Sequence, residues 1–360
     1  MKALLYEGPE RVALREVPVP PIGETEALVQ VDACGVCGTD LVKVFNNGHL
    51  KPPVPLGHEV AGRIHKLGKR AKGFKVGDRV IVAHHVPCRD CHYCRRGHPS
   101  MCREFKRTNL DPGGFSQFIR VSERHLKHTT LRIPPKLDFV AASQVEPLAC
   151  CLRNARRLGL EKGDVAAIFG LGSIGLMTAQ LLGHFGVSVV GLDLDPQRVE
   201  VARKAGVRNS FNGKDPGAEK VVRALSEGRG ADALVFTAGT PQLVSQRLAW
   251  LRDGGTVNVF ASFHPESSLS LDLNEVYHRE LRVISSYSPA LEDLRESLKL
   301  IASGKISMEP HIGHVFTMLD FGEAVRRVRS REILKAILLP QEARSCLSLA
   351  PSAAAAAGRR

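Results

Sequence analysis

The sequence predicts an α/β protein of two domains, a β-rich one followed by a doubly wound parallel sheet. Three observations carry that expectation. The chain has 360 residues, more than one ordinary hydrophobic core accommodates. Its first 140 residues are cut by glycine and proline into short β-branched runs. From Asp164 onward, strand and helix patterns alternate, the signature of parallel strands joined by crossover helices.

The elements follow in order. The opening "MKALLYEGPERVALREV" reads as strand and lacks the apolar stretch and cleavage site of a signal peptide. "EALVQVDA", "EVAGRIHKLG", "GDRVIVAHH" and "GGFSQFIRV" are the next turn-bounded strands. Near Glu146 the character changes: Pro147 suits a first helical turn, and "LACCLRNARRLGL" continues at helical spacing. Then come "DVAAIF", "SIGLMTAQLLGHFG", "VSVVGLDLD", "PQRVEVARKAG", "ADALVFTAG", "PQLVSQRLAWL" and "GGTVNVFAS", the last expected to pair across a dimer interface. Around residue 287 the alternation breaks, "ALEDLRESLKLIASGKI" reads as an amphipathic helix and "EILKAILLP" as a final strand. The expected organisation is therefore a first domain over 1–147, containing a cysteine lobe at 86–104, and a second over 148–286. Residues 287–340 return to the first domain, and the low-complexity tail 341–360 is expected to be disordered.

A hydrophobic content of 43% with 24% charged residues fits a soluble globular protein, and no apolar run nears the roughly 20 residues that span a bilayer. A cytoplasmic protein is expected. Nine cysteines, an odd number in a chain with no mark of secretion, point to metal binding or chemistry rather than disulfides. The formal charge of +13 is concentrated: residues 59–79 hold seven Lys/Arg against two acids, and 88–107 hold six against two. Such a patch attracts polyanions, but without interleaved aromatics it reads as a solvated basic face, and no nucleic-acid partner is expected.

"DVAAIFGLGSIGLMTAQLLG" contains GxGxxG as Gly170, Gly172 and Gly175, with Ser173 and Ile174 in the same turn. The motif follows a strand, opens a helix, and precedes Asp193 at the end of the next strand, eighteen residues after Gly175. The first glycine permits the tight turn, the second lets the backbone approach a pyrophosphate, and the third lets helix and strand pack closely. A carboxylate at Asp193 accepts hydrogen bonds from adenosine ribose hydroxyls and repels a 2′-phosphate, which favours NAD over NADP. Asp195 is a rival for that role, and Arg198 is near enough to touch the cofactor.

Two cysteine-containing sets stand apart. "VPCRDCHYCRRGHPSMC" carries Cys88, Cys91, Cys94 and Cys102, with no helical pattern inside or directly after them. Four thiolates with no open position describe a structural tetrahedral zinc. An iron–sulfur site lacks its usual Cys-Pro ending, and a nucleic-acid-reading finger lacks its helix. The second set is scattered: Cys34, Cys37, Thr39 and Asp40 in "CGVCGTD", His58 and Glu59 in "LGHEVAG", and Glu146 in "QVEPLAC". Thiolate, imidazole and carboxylate together suit zinc, and a catalytic zinc needs about three protein ligands plus an open position. Cys34 and Cys37 alone would read as a redox pair and His58 alone as a packed histidine, so composition leaves both readings open.

The order "CGTD", "GHE", four-cysteine lobe, "EPLA", "GLGxxG" and Asp193 resembles the zinc-dependent medium-chain dehydrogenase/reductases, over about residues 1–340. "GHEVAGRI", "VEPLACCLRNARRLG" and "YHRELRVISSYS" are similar to sorbitol/L-iditol 2-dehydrogenase-like members. The resemblance implies a GroES-like catalytic domain, a Rossmann NAD-binding domain, two zinc ions per subunit and a homodimer or homotetramer. It implies oxidation of a secondary alcohol of polyol or sugar-alcohol type by hydride transfer to NAD. Cys37 and His58 would bind the catalytic zinc, completed by Glu59 or Glu146. Asp40 would orient His58, and Thr39 would receive the substrate hydroxyl's proton. The four-cysteine lobe would hold the structural zinc.

The chain departs from the pattern in two places. Many relatives end the proton relay with a histidine three residues after the hydroxyl residue; here Val42 stands there, followed by Lys43, with His49 further on. Sorbitol-type relatives tend to carry arginine where this chain has Ser288, after Tyr287. Phe115 and Tyr287 read either as pocket lining or as core. An L-threonine 3-dehydrogenase-like enzyme is the alternative within the class. A zinc-free quinone or enone reductase is disfavoured by Cys37, His58 and Glu146.

Overall fold

The structure, a computed structural model, describes residues 1–45, 52, 54, 56–263 and 266–341. His49 and the tail from 342 to 360 lie outside the described residues. Two compact units are present, Met1–Gln144 with the chain from Ile312 onward, and Val145–His311.

In the first unit the strand order is His314–Thr317, Ala336–Leu339, Ala27–Gly35, Glu59–Leu67, Arg79–Ala83 and Thr130–Arg132, with Phe118–Val121 also paired to Ala27–Gly35. A hairpin of Lys2–Gly8 and Arg11–Glu16 stands beside this sheet. Ala27–Gly35 is central and mostly buried, whereas Glu59–Leu67 buries Val60 and Ile64 and turns Arg63 and His65 outward. That alternation makes one face core and the other solvated. Tyr6, Val29, Val31, Val80, Ile119, Phe316 and Leu338 fill the core. Phe115 is fully buried there, its ring 5.7 Å from that of Phe321, and it is core rather than pocket lining.

The pairing of Ala27–Gly35 with Glu59–Leu67 positions the chemistry. The two run antiparallel with Gly35 opposite Glu59, so one strand ends where the other begins. Cys37 follows the first and His58 precedes the second. Between them residues Gly38–Phe45 form a helix, α1, whose first turn is closed by Asp40. The Asp40 backbone N–H donates to the Cys37 carbonyl, and the Asp40 carboxylate accepts from the Cys37 N–H at 3.2 Å.

The second unit is a six-stranded parallel sheet in the order Asn209–Asn212, Ser188–Asp193, Val165–Phe169, Ala231–Phe236, Leu251–Val259 and Arg282–Ser285. Numbered along this unit the order is 3-2-1-4-5-6, that of a dinucleotide-binding sheet whose ligand crevice lies where the order reverses. Val165–Phe169 and Ala231–Phe236 are buried at every residue, as expected of strands covered on both faces.

Three expectations change here. The compact units place the chain's return at Ile312 rather than 287, because the helix Leu291–Ala302 packs on Val145–Leu158 in the second unit. Gln341, expected in the tail, donates from its side chain to the Val31 and Gln117 carbonyls of the first unit. The first six residues of "GGTVNVFAS" lie in Leu251–Val259, which is paired on both sides within the chain and offers no edge to a second copy. The outer strand on that side is Arg282–Ser285. Among the described residues no helix is long and apolar enough to cross a membrane.

Candidate functional site

The scattered set converges. One donor atom each from Cys37, His58 and Glu59 lies within 4.8 Å of the others. Asp40, fully buried, accepts from the Gly57 N–H at 3.0 Å through Oδ1, and the same oxygen lies 3.4 Å from His58 Nδ1. Burial opposes ionisation of Asp40, but His58 and these backbone donors outweigh it and its pKa is lowered. With Nδ1 turned to Asp40, the imidazole has Nε2 left for a metal. Burial likewise opposes a charged His58, yet Asp40 and Cys37 raise its pKa well above the usual value. A cation entering the site must displace that proton.

Cys34 stands outside the cluster. It is fully buried, and burial, with Asp40 and Glu59 nearby, pushes its thiol pKa well above the usual value. A thiol that stays protonated is neither ligand nor half of a redox pair. Thr39 is exposed at the start of α1, and the Cys37 Sγ donates to its Oγ1 at 3.7 Å.

Glu59 provides the fit test for a metal. Its carboxylate is completely buried; Oε1 accepts from Lys335 Nζ at 2.6 Å, while Oε2 has no hydrogen-bond partner. An orphaned anionic oxygen beside a thiol and an imidazole suits a divalent cation of intermediate softness. The space is made by Gly35, where a Cβ would sit 1.9 Å from Oε2. Lys335 itself is only 5% exposed, and sequence reading missed it because nothing local marks a partner 276 residues away. Lys335→Met is expected to cost about 3–5 kcal/mol in urea unfolding, because it leaves the Glu59 charge buried and unpaired. Lys335→Arg should recover part of that loss. Equal stability of wild type and the methionine variant would show that the pair does not hold Glu59.

Two histidines also missed by the sequence reading complete the surroundings. The His84 ring lies 4.7 Å from that of His58 and 3.9 Å from that of His85. Burial lowers both, His85 to about 4, and His85 Nδ1 donates to the Thr108 carbonyl at 2.6 Å. Neutral rings here add no repulsion toward a cation.

Cys88, Cys91, Cys94 and Cys102 also gather within 4.8 Å. The Cys88–Cys94 and Cys91–Cys94 Sγ distances are 3.9 and 3.6 Å. A tetrahedron with zinc–sulfur bonds of about 2.3 Å has edges of about 3.8 Å, so the four sulfurs fit that ion. Backbone N–H groups of Asp90 and Cys91 donate to Cys88 Sγ and lower its pKa to about 6, whereas burial and Cys91 push Cys94 up to about 12. Helical turns do occur here, His92–Arg95 inside the lobe and Arg103–Arg107 directly after it, contrary to expectation. Each is about one turn, too short to show a hydrophobic period or to read a groove.

In the second unit Val165–Phe169 leads into the glycine turn and the helix Ser173–His184. Gly170 has φ of +101°, and a Cβ on Gly175 would lie 1.8 Å from the Gly170 carbonyl oxygen, so both positions require glycine. Gly172 is the N-cap, leaving the N–H groups around Ser173 and Ile174 at the helix start for an anion. Asp193 closes the neighbouring strand; its Oδ2 accepts from the Leu171 N–H at 2.7 Å and its Oδ1 from the Asp195 N–H at 3.0 Å. The rival Asp195 is occupied as N-cap of Pro196–Lys204, accepting from the Gln197 N–H at 2.9 Å. Arg198 Nη1 lies 3.7 Å from Asp193 Oδ2, and its Nε is buried without a hydrogen-bond partner. Glu146 belongs to this unit too, buried near the start of Val145–Leu158, where Cys150 Sγ donates to its Oε1 at 3.8 Å. Tyr287 is 58% exposed and so is not core, and the Ser288 carbonyl accepts from Arg153.

Comparison with known proteins covers most of the chain. The alcohol dehydrogenase GroES-like domain family matches residues 23–133, and the zinc-binding dehydrogenase family matches 173–303. A sorbitol dehydrogenase of Halalkalibacterium halodurans is 30% identical, over 94% of this chain and 99% of its own. An L-threonine 3-dehydrogenase of Bacillus subtilis is also 30% identical, with the same coverage of 94% and 99%. Among solved structures, the alcohol dehydrogenase TADH from Thermus sp. ATN1 superposes with a TM-score of 0.83 at 25% identity, covering 94% of this chain and 99% of its own.

Proposed function

The chain belongs to the zinc-dependent medium-chain dehydrogenase/reductase superfamily, as a sorbitol dehydrogenase-like member, and from that membership we propose that it oxidises a polyol-type secondary alcohol to the ketone with NAD. The observation that carries the reading is the Cys37, His58 and Glu59 cluster with its orphaned carboxylate oxygen, with Thr39's exposed hydroxyl two residues after Cys37.

When bound, zinc there would supply the Lewis acidity that brings an alcohol's pKa toward neutrality, and NAD would supply a hydride acceptor. The chain's own residues do the rest. Cys37 and His58 would bind the metal, with Glu59, the carboxylate that gathers with them, as the third ligand, and Asp40 fixes the His58 tautomer. Thr39 Oγ1 would accept the hydrogen bond of the substrate hydroxyl and take up its proton while passing its own hydroxyl proton on toward solvent, since Val42 cannot relay it. The start of Ser173–His184 binds the pyrophosphate and Asp193 the ribose hydroxyls, with Arg198 beside them. The second zinc, held by Cys88, Cys91, Cys94 and Cys102, is structural. A 3-hydroxy amino acid is the second substrate class, favoured by the equal identity to the L-threonine 3-dehydrogenase. We place the enzyme in the cytoplasm as a homodimer or homotetramer, the exposed edge of Arg282–Ser285 supporting self-association.

The test is zinc content, expected near two per chain, with absorbance at 340 nm after adding NAD and a panel of tetritols, pentitols, hexitols, inositols and threonine. Flat traces across the panel would overturn the polyol reading. In the same assay Asp193→Ser is expected to lower kcat/KM for NAD by about 10- to 100-fold and to narrow the gap to NADP, since charge-assisted hydrogen bonds to the ribose are lost. An unchanged ratio between the two cofactors would remove Asp193 from that role.

A further inference from the structure

The second unit holds a cavity that the reaction as derived does not use. Its volume is about 360 Å³, within the range of small-molecule sites. Val187, Val189, Val207 and Ile306, all buried, supply an apolar wall, and Gln180, His184, Arg208 and Lys305 a polar one. Three of these side chains are basic, and no carboxylate lines the space. Among the described residues Arg208 and Lys305 make no ion pair or side-chain hydrogen bond. Gln180 Oε1 accepts from His311 Nε2 at 2.7 Å, so what the Gln180 amide has left to offer is its N–H donors. The cavity lies at the amino ends of the strands Ser188–Asp193 and Asn209–Asn212. Asp193 and the glycine turn stand at the carboxyl ends, about 17–20 Å away along a strand of this length. Gly183, in the last turn of the helix Ser173–His184, has no left-handed φ, and a Cβ there would meet nothing within 4 Å. Neither backbone nor packing demands glycine at that position, where it weakens the helix. What its missing side chain preserves is the open space that it lines.

We propose that this cavity is a second ligand site, built for a small amphipathic anion: a carboxylate on a hydrocarbon body. Arg208, Lys305 and the Gln180 amide hold the carboxylate, and the apolar body lies against the three valines and Ile306. Burial of the hydrocarbon supplies affinity, and cations with no acid among them select the sign of the charge. The inference does not depend on the proposed oxidation of an alcohol. The competing role for the cations is electrostatic. The helices Ser173–His184, Pro196–Lys204 and Leu291–Ala302 all end beside the cavity, and cations are favourable at helix C-termini. Carbonyls at those ends are already taken by backbone donors, however. The Val187 N–H donates to Leu182, the Val207 N–H to Ala202 and the Ile306 N–H to Leu300. The cations are thus not consumed as hydrogen-bond caps, and a helix-end role accounts for neither the cavity nor Gly183.

The experiment titrates the zinc-loaded protein calorimetrically with octanoate, its methyl ester and acetate, with and without saturating NAD. Octanoate is expected to bind once per chain, about tenfold or more tighter than the neutral ester or the tail-less acetate, and equally well when NAD is present. Arg208→Met combined with Lys305→Met should weaken octanoate about tenfold and leave the ester unchanged. Gly183→Met fills the cavity from a helix that has room for the side chain, and should abolish octanoate binding without lowering Tm. No binding of octanoate to wild type, competition with NAD, or binding that survives Gly183→Met would each overturn the site. A double variant that binds octanoate as wild type does, but melts lower, would leave the cations to the helix ends and overturn the anion reading. If Gly183→Met does not fold, the double variant decides alone.

Discussion

Cys37→Ala is expected to lower alcohol turnover about a thousandfold or more, equivalent to about 4 kcal/mol of lost transition-state stabilisation. The protein should stay folded and keep close to one zinc per chain. The separation of activity from folding follows from where Cys37 sits. Its side chain is partly exposed beyond the strand Ala27–Gly35, so truncation opens no core cavity. The hydrogen bond that closes α1 uses the Cys37 backbone N–H, which alanine keeps. What disappears is the thiolate, the softest donor in the cluster, and one imidazole with carboxylates around it is a poor zinc site. Cys34→Ala is the control: its sulfur is buried in the core, so it should cost stability and leave the catalytic metal in place. Metal analysis and turnover on the same preparations check both. Undiminished activity after Cys37→Ala, or after complete metal removal, would sink the metal-dependent reading.

Much of this site was legible in the sequence because its signals are local. The glycine turn needs its residues within six positions, and Asp193 is one strand away from it. The four-cysteine lobe fits in fifteen residues, and β-branched runs announce strands wherever they occur. What the sequence could not disclose is pairing across distance. Lys335 reaches Glu59 only because the strand Ala336–Leu339 docks on Ala27–Gly35, which is itself paired with Glu59–Leu67. His84 stands against His58 because Arg79–Ala83 is that strand's other neighbour. That Asp195 starts a helix, accepting from the Gln197 N–H, is a capping detail that sequence spacing alone left open. The return point moved from 287 to 312 for a packing reason, since an amphipathic helix shows that it has an apolar face but not which surface will cover it. Sequence order likewise could not show that "GGTVNVFAS" has neighbours on both sides.

Cys102→Ser should produce the opposite pattern from Cys37→Ala, a protein that loses stability first and activity only in consequence. Cys102 is the buried member of the lobe, 1% exposed, and its sulfur accepts from the Cys88 N–H at 3.3 Å. The lobe between Cys88 and Cys102 has little apolar surface to bury: its own helical turn, His92–Arg95, contains no buried residue. Its fold is therefore expected to depend on a bound metal, whose binding free energy is folding free energy in a segment of this kind, about 10–16 kcal/mol for isolated zinc-finger peptides. Only the part coupled to the rest of the first unit reaches global stability. A loss of about 3–5 kcal/mol there corresponds to a Tm lower by about 10 °C in a unit of this size. Removal of the ion also leaves thiols crowded together, with Cys88 lowered to about 6 and hence largely thiolate at neutral pH. Oxidation of the variant or of chelated wild type is accordingly expected to begin at Cys88, readable by alkylation and mass spectrometry. NAD binding should persist below the lowered transition, because the glycine turn proposed to hold the cofactor lies in the other unit. An unchanged zinc content and Tm in Cys102→Ser would contradict the structural role. Visible absorbance with iron in place of the second zinc would transfer the same four sulfurs to an iron–sulfur cluster, and with it the lobe from a staple to an electron carrier.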